Sequence, residues 1–248
     1  MKKAISYLMA FTMLFLLVIP VSAKEKEVVQ KEKVIYQAKE ITNQKELYER
    51  AVKGIKDVPI NDLSLPKQEM KNNQTKENVE LSEHVTSQLL NVKTVDDTEI
   101  QEIAVTTFVT PESSTILEPT FTTFATSGSK SEEEWDSSYG VRAYSTIYYS
   151  RTTKDGVSYA KVTKASGGWS ISDSSISLSS RKVTIGTSGW PAGTQSITKY
   201  PTGNSWSYST PTSWEYISTT SGHSIGATST VTLKRGSSTW TLKLNNNL

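Results

Sequence analysis

Between Tyr139 and Trp169 the side chains alternate so regularly that only an extended chain can sort them into two faces. Val141, Ala143, Ser145, Ile147 and Tyr149 fall on one side. Arg142, Tyr144, Thr146, Tyr148 and Ser150 fall on the other. A period of two in β-branched and aromatic residues is the mark of a strand, because a helix would scatter these residues around its circumference. Lys154-Asp155-Gly156 supplies a hairpin turn, since Asp-Gly readily takes the positive φ angles that tight hairpins need. Val157 to Ala165 returns, and Gly167-Gly168 reads as the next break. The return changes phase: Val157 and Tyr159 share one face, Ala160 and Val162 the other. Either a bulge or burial of both faces accounts for that.

Short alternating runs continue to the end of the chain. They include Val183 with Ile185, then Ile225, Ala227, Val231 and Leu233, then Trp240, Leu242 and Leu244, and Gly, Pro, Asn and Ser clusters separate them. Strands at this spacing predict a mainly β protein in which residues 135–248 form an antiparallel β-sandwich or barrel-like domain.

The preceding residues read differently. Residues 1–23 have the form of an export signal: Lys2 and Lys3, an apolar run from Leu8 to Val21, and the small-residue tripeptide Val21-Ser22-Ala23, so cleavage is expected after Ala23. Residues 24–109 read as an acidic, partly helical region and a possible propeptide. Asn43 with Glu46 resembles a capping box before Leu47, Ala51, Val52 and Ile55. Val79 to Val92 suggests a second helix with Leu81, Val85, Leu89 and Val92 on one face. Ile100 to Thr110 turns extended. Residues 110–134, rich in Thr, Ser, Pro and Glu, read as a linker between the acidic region and the β domain. A secreted bacterial protein is expected, with no transmembrane anchor in its mature form. The chain has no cysteine and so no disulfide framework.

Charge and aromatic residues are unevenly spread. Residues 24–134 carry 14 Lys and Arg against 21 Asp and Glu, whereas residues 135–248 carry 11 against 4. The β region is therefore basic (+7), which suits an anionic partner. All six Trp and eight of the eleven Tyr lie in residues 135–248. These side chains pair a large apolar face with a polar tip and suit wet binding surfaces.

No nucleophile elbow, phosphate-cradling glycine loop or cluster of metal-ligating residues is evident, so no catalytic residue, metal or cofactor is expected. Asp173 with Glu215 is the one carboxylate pair a glycan hydrolase would have in the β region. Binding is the more natural chemistry. Tyr144 and Tyr148 share a strand face, Trp190 and Trp206 fall in turn-like segments, and Arg142 and Arg151 add positive charge. These six residues are the candidate ligand contacts. The expected function is non-catalytic binding of cell-wall, cell-envelope or extracellular matrix polysaccharide, and an exported domain gives no reason to expect nucleic acid as partner. The alternative is a secreted toxin or antimicrobial protein held inactive by its acidic N-terminal region.

Overall fold

The computed structural model describes residues 31–60, 67–111, 140–220 and 222–248. The export signal, its cleavage point after Ala23 and the linker beyond Pro111 lie outside the described residues. Along the rest, the chain forms β1 (Glu32–Gln37), α1 (Gln44–Val52), β2 (Glu69–Asn72), β3 (Asn78–Val79), β4 (Leu81–Val95) and β5 (Thr98–Pro111). There follow β6 (Val141–Lys154), β7 (Val157–Ile171), β8 (Ser177–Gly189), β9 (Gly193–Lys199), β10 (Ser205–Ser209), β11 (Ile217–Ser218), β12 (Ser224–Arg235) and β13 (Ser238–Asn247).

The strands form two antiparallel sheets. One runs β1-β4-β5-β6-β7-β10, with β11 also on β7, and curls into a half-barrel. The other runs β3-β2-β13-β12-β8-β9. A single apolar core joins them: Ile103, Val105, Ile147 and Val162 from the first sheet meet Val183, Ile185, Ile225, Val231 and Leu242 from the second. Asn246 clasps the sheets together inside that core. Its Nδ2 donates to the carbonyls of Val105 at 3.0 Å and Ser145 at 2.7 Å, and its Oδ1 accepts from the Thr107 hydroxyl at 3.1 Å. A buried amide satisfied in this way fixes one alignment of the sheets.

The hairpin forms where the alternation places it. Asp155 and Gly156 both have positive φ, 53° and 77°, and Lys154 pairs with Val157 across them. Burial of both faces accounts for the phase change. Val157 and Tyr159 are half-buried on one face while Ala160 and Val162 are buried on the other. The bulge comes later: Tyr148 pairs with Lys164 but Tyr149 with Val162, leaving Thr163 extra. That extra residue lets Val162 and Ala165, three apart, both reach the core. A second irregularity lies between Leu89 and Asn91 in β4. Bulges raise local twist, which helps such long strands curl.

Three expectations are corrected. Gly167-Gly168 does not end the strand, because β7 runs on to Ile171. The glycines serve close approach instead: a Cβ on Gly167 would stand 2.6 Å from Trp206 Cζ2, and one on Gly168 2.8 Å from Tyr144 Oη. The second helix is strand β4. A four-residue spacing is even, so Leu81, Val85 and Leu89 share a face in a strand as well, and all three pack on the core. The expected boundary over residues 110–134 does not part an acidic region from a β domain. β5 and β6, on its two sides, are hydrogen-bonded neighbours from Ile100–Thr152 to Val109–Ala143, and β2 pairs with β13 in the other sheet.

Candidate functional site

Helix α1 builds the site by covering the outer face of the first sheet. Asn43 starts it: Oδ1 accepts from the N–H groups of Lys45 at 2.9 Å and Glu46 at 3.1 Å, satisfying two of the donors a helix leaves open. Leu47 and Ala51, one turn apart, are buried against Phe108 of β5. Phe108 belongs to the face of β5 that points away from the core, so α1 explains why that face is buried too.

Beside the helix lies a cleft of about 550 Å³. Gln44, Lys45, Tyr48 and Glu49 form one wall; Phe108, Arg142 and Tyr144 form the floor; Ser170, Ile171 and Ser172 close the far side. Tyr48 meets Phe108 edge-on with centroids 5.3 Å apart, and Phe108 and Tyr144 lie 6.3 Å apart at a 32° tilt. The Arg142 guanidinium stacks on Tyr48, 3.6 Å from the ring centroid, and the residue is only 7 % exposed. On the other edge of Tyr48 stands His84, 5.8 Å away at 87°.

Electrostatics follow from that packing. Burial lowers the Arg142 pKa. Burial, then the Arg142 charge, lowers the His84 pKa and favours neutral imidazole. Burial raises the Tyr144 pKa. The cleft therefore offers aromatic faces, one largely desolvated cation and a polar rim. His84 has no hydrogen-bonded nucleophile among the described residues, and no group of three His, Asp or Glu among them gathers for a metal ion.

The six residues expected to contact ligand do not form one site. Arg142 and Tyr144 share the cleft. Tyr148 lies on the same strand face but is committed to structure: its hydroxyl donates to Glu40 at 2.6 Å and Lys164 Nζ sits 4.5 Å from its ring centroid. Burial first, then the Glu40 hydrogen bond, pushes its pKa up to about 12. Trp206 is a correction: it is 6 % exposed, lies against Gly167 and stacks on Tyr208 at 6.2 Å, so it belongs to the core. Trp190, in the β8–β9 turn, is 71 % exposed. Arg151 grips Gln101 Oε1 through Nη2 at 2.6 Å and Nε at 3.2 Å, far along β6 from the cleft.

Asp173 and Glu215 stand at opposite ends of β8. Asp173 pairs with Arg235 at 3.2 Å, beside the Ser177–Lys234 end. The Glu215 N–H donates to Gln195, whose partner in β8 is Thr187. Ser177 and Thr187 are ten residues apart, roughly 33 Å along a strand, too far for two carboxylates to share a glycosidic bond. Tyr48, Phe108 and His84 went unforeseen. Phe108 carries a signal, since it alternates with Thr107 on the outward face, but nothing local says that a helix 60 residues earlier lies over it. The chain matches no protein-family model, no curated protein and no solved structure.

Proposed function

We propose that the protein is an exported, non-catalytic binding protein, and that the cleft beside α1 takes a sugar unit of a cell-envelope or extracellular polysaccharide. The carrying observation is the grouping of Tyr48, Phe108, Tyr144 and the buried Arg142 around one opening of about 550 Å³. That volume lies within the usual range for ligand pockets, roughly 300–1,000 Å³. Aromatic faces receive the C–H faces of a sugar ring, and Gln44 and Ser170 add polar groups to the lining. Arg142, stacked on Tyr48, brings positive charge to the cleft and so suits a unit bearing a carboxylate or phosphate. The export signal read in residues 1–23 and the basic balance of residues 135–248 support a ligand of that kind outside the cell.

The test is retention of the full chain on insoluble bacterial cell walls, with and without their anionic polymers, across a salt series. Tyr48→Ala and Tyr144→Ala are expected to lose retention while keeping the parent's thermal midpoint to within a few degrees. Retention untouched by either change counts against the cleft, and no retention at any salt counts against the function.

A membrane-active reading has one observation behind it. Four neighbouring strands, β4 to β7, are 14 or 15 residues long, whereas a membrane-spanning strand needs about 9–11. Dye release from liposomes by the full chain tests it, and intact liposomes refute it.

A further inference from the structure

We propose that the protein has a second ligand site, for a phosphate or carboxylate group carried on a sugar unit, where Arg151 and His223 line one cleft and the turn that carries Trp190 lies next to His223. The site does not rest on the reading of the cleft beside α1. Arg142 and Arg151 are nine residues apart on β6, roughly 30 Å, and point to opposite faces of the sheet.

Arg151 is held by a neutral side chain. Nε and Nη2 both donate to the neutral amide oxygen of Gln101, and Gln101 is fixed in turn by donating to Glu99 at 2.8 Å. Among the described residues Arg151 makes no ion pair, and its Nη1 has no hydrogen-bond partner. The Glu99 carboxylate shares the larger cleft but bonds Gln101 and not the half-buried Arg151, whose planar fork matches an oxyanion.

The space beside it is shaped to receive one. Arg151 and Ser158 border two adjoining clefts, of about 400 Å³ and about 200 Å³. The smaller also contains His223 and the Thr220 hydroxyl. His223 in turn abuts the turn that carries Trp190: a Cβ built on Gly189 would stand 3.4 Å from the His223 Cβ. That turn is tied down, since the Trp190 carbonyl accepts from the Ser218 N–H at 2.7 Å. An indole that is 71 % exposed on an anchored turn presents a flat apolar face at little entropic cost. Guanidinium, imidazole and hydroxyls for the anion, with an indole for the ring that carries it, make up one ligand class.

The chain has two histidines, and each reports on one site: His84 touches Tyr48 in the first cleft and His223 lines the second. Imidazole NMR signals of the full chain are followed while inorganic phosphate, glucuronate or glucose 1-phosphate is added. A saturable shift of His223 is expected with phosphate, glucuronate or both, and whichever anion acts names the source. Arg151→Gln is expected to weaken that response at least ~10-fold, about 1.4 kcal/mol. Trp190→Ala is expected to weaken glucose 1-phosphate and leave inorganic phosphate unchanged. If His223 of the unaltered protein stays still with every probe, the proposal is overturned without recourse to any variant. It is equally overturned if a folded Arg151→Gln protein binds as before.

Discussion

Replacing Trp206 with Ala separates a core tryptophan from a ligand-stacking one. Trp206 is 6 % exposed. A large aromatic side chain buries roughly 150–250 Å², which at about 25 cal/mol per Å² is worth about 4–6 kcal/mol as an upper bound. Measured truncations of buried Trp and Phe fall at about 3–5 kcal/mol. The indole Nε1 has no hydrogen-bond partner, so no bond is lost to add to that figure. Gly167, against which the ring rests, has no side chain to fill the space it leaves. Trp206→Ala is therefore expected to lower unfolding free energy by about 3–5 kcal/mol. Trp190→Ala, at 71 % exposure, should stay within about 0.5 kcal/mol of the parent. Urea titration of both variants, read by far-ultraviolet circular dichroism, gives the comparison. A loss below about 1 kcal/mol for Trp206→Ala, or equal losses for the two, would refute the burial argument.

Gly167→Ala places a methyl group against the Tyr144 carbonyl and 2.6 Å from Trp206, so a loss of about 1–3 kcal/mol is expected in the same urea assay. Asn43→Ala removes the cap of α1 and should cost about 1 kcal/mol; if thermal unfolding is unchanged, the helix does not depend on its cap. The raised Tyr148 pKa means that the fold favours the neutral phenol. Its contribution to stability is present below the unfolded value near 10 and is lost as pH rises through about 12. Glu40→Gln should bring the Tyr148 ionisation down towards 10 in an ultraviolet phenolate titration, and an unmoved titration rules out Glu40 as a cause.

Local chemistry determined the first hairpin of the β region. Alternation in Val141–Ser150 and the Asp155-Gly156 turn depend only on backbone sterics and on which side chains avoid water, and both appear in the fold. The Asn43 cap was equally local. Reading failed where a signal had two physical sources. The even spacing of Leu81, Val85 and Leu89 fits a helix stripe and a strand face alike, and pairing with β5 chose the strand. Glycine at 167 and 168 signals either a break or a close approach, and only the positions of Trp206 and Tyr144 show which. The Thr, Ser, Pro and Glu composition of residues 110–134 suggested a boundary there, but composition does not record which strands pair.

The candidate sites show the same division. The sequence alone marked Arg142, Tyr144, Trp190 and Arg151 as residue types suited to binding, because a cation or an aromatic is recognisable by its chemistry. It gave no means of telling Trp190 from Trp206, since one is exposed and the other is buried on a strand laid against Gly167, distant in the chain. Tertiary structure alone laid α1 over β5, set Tyr48 on Arg142 and opened the cleft between them. It also brought His223 and Arg151, 72 positions apart in sequence, to one cleft. Propensity and alternation act over a few residues, whereas a site is made by groups that only long-range packing brings within a few ångströms of one another.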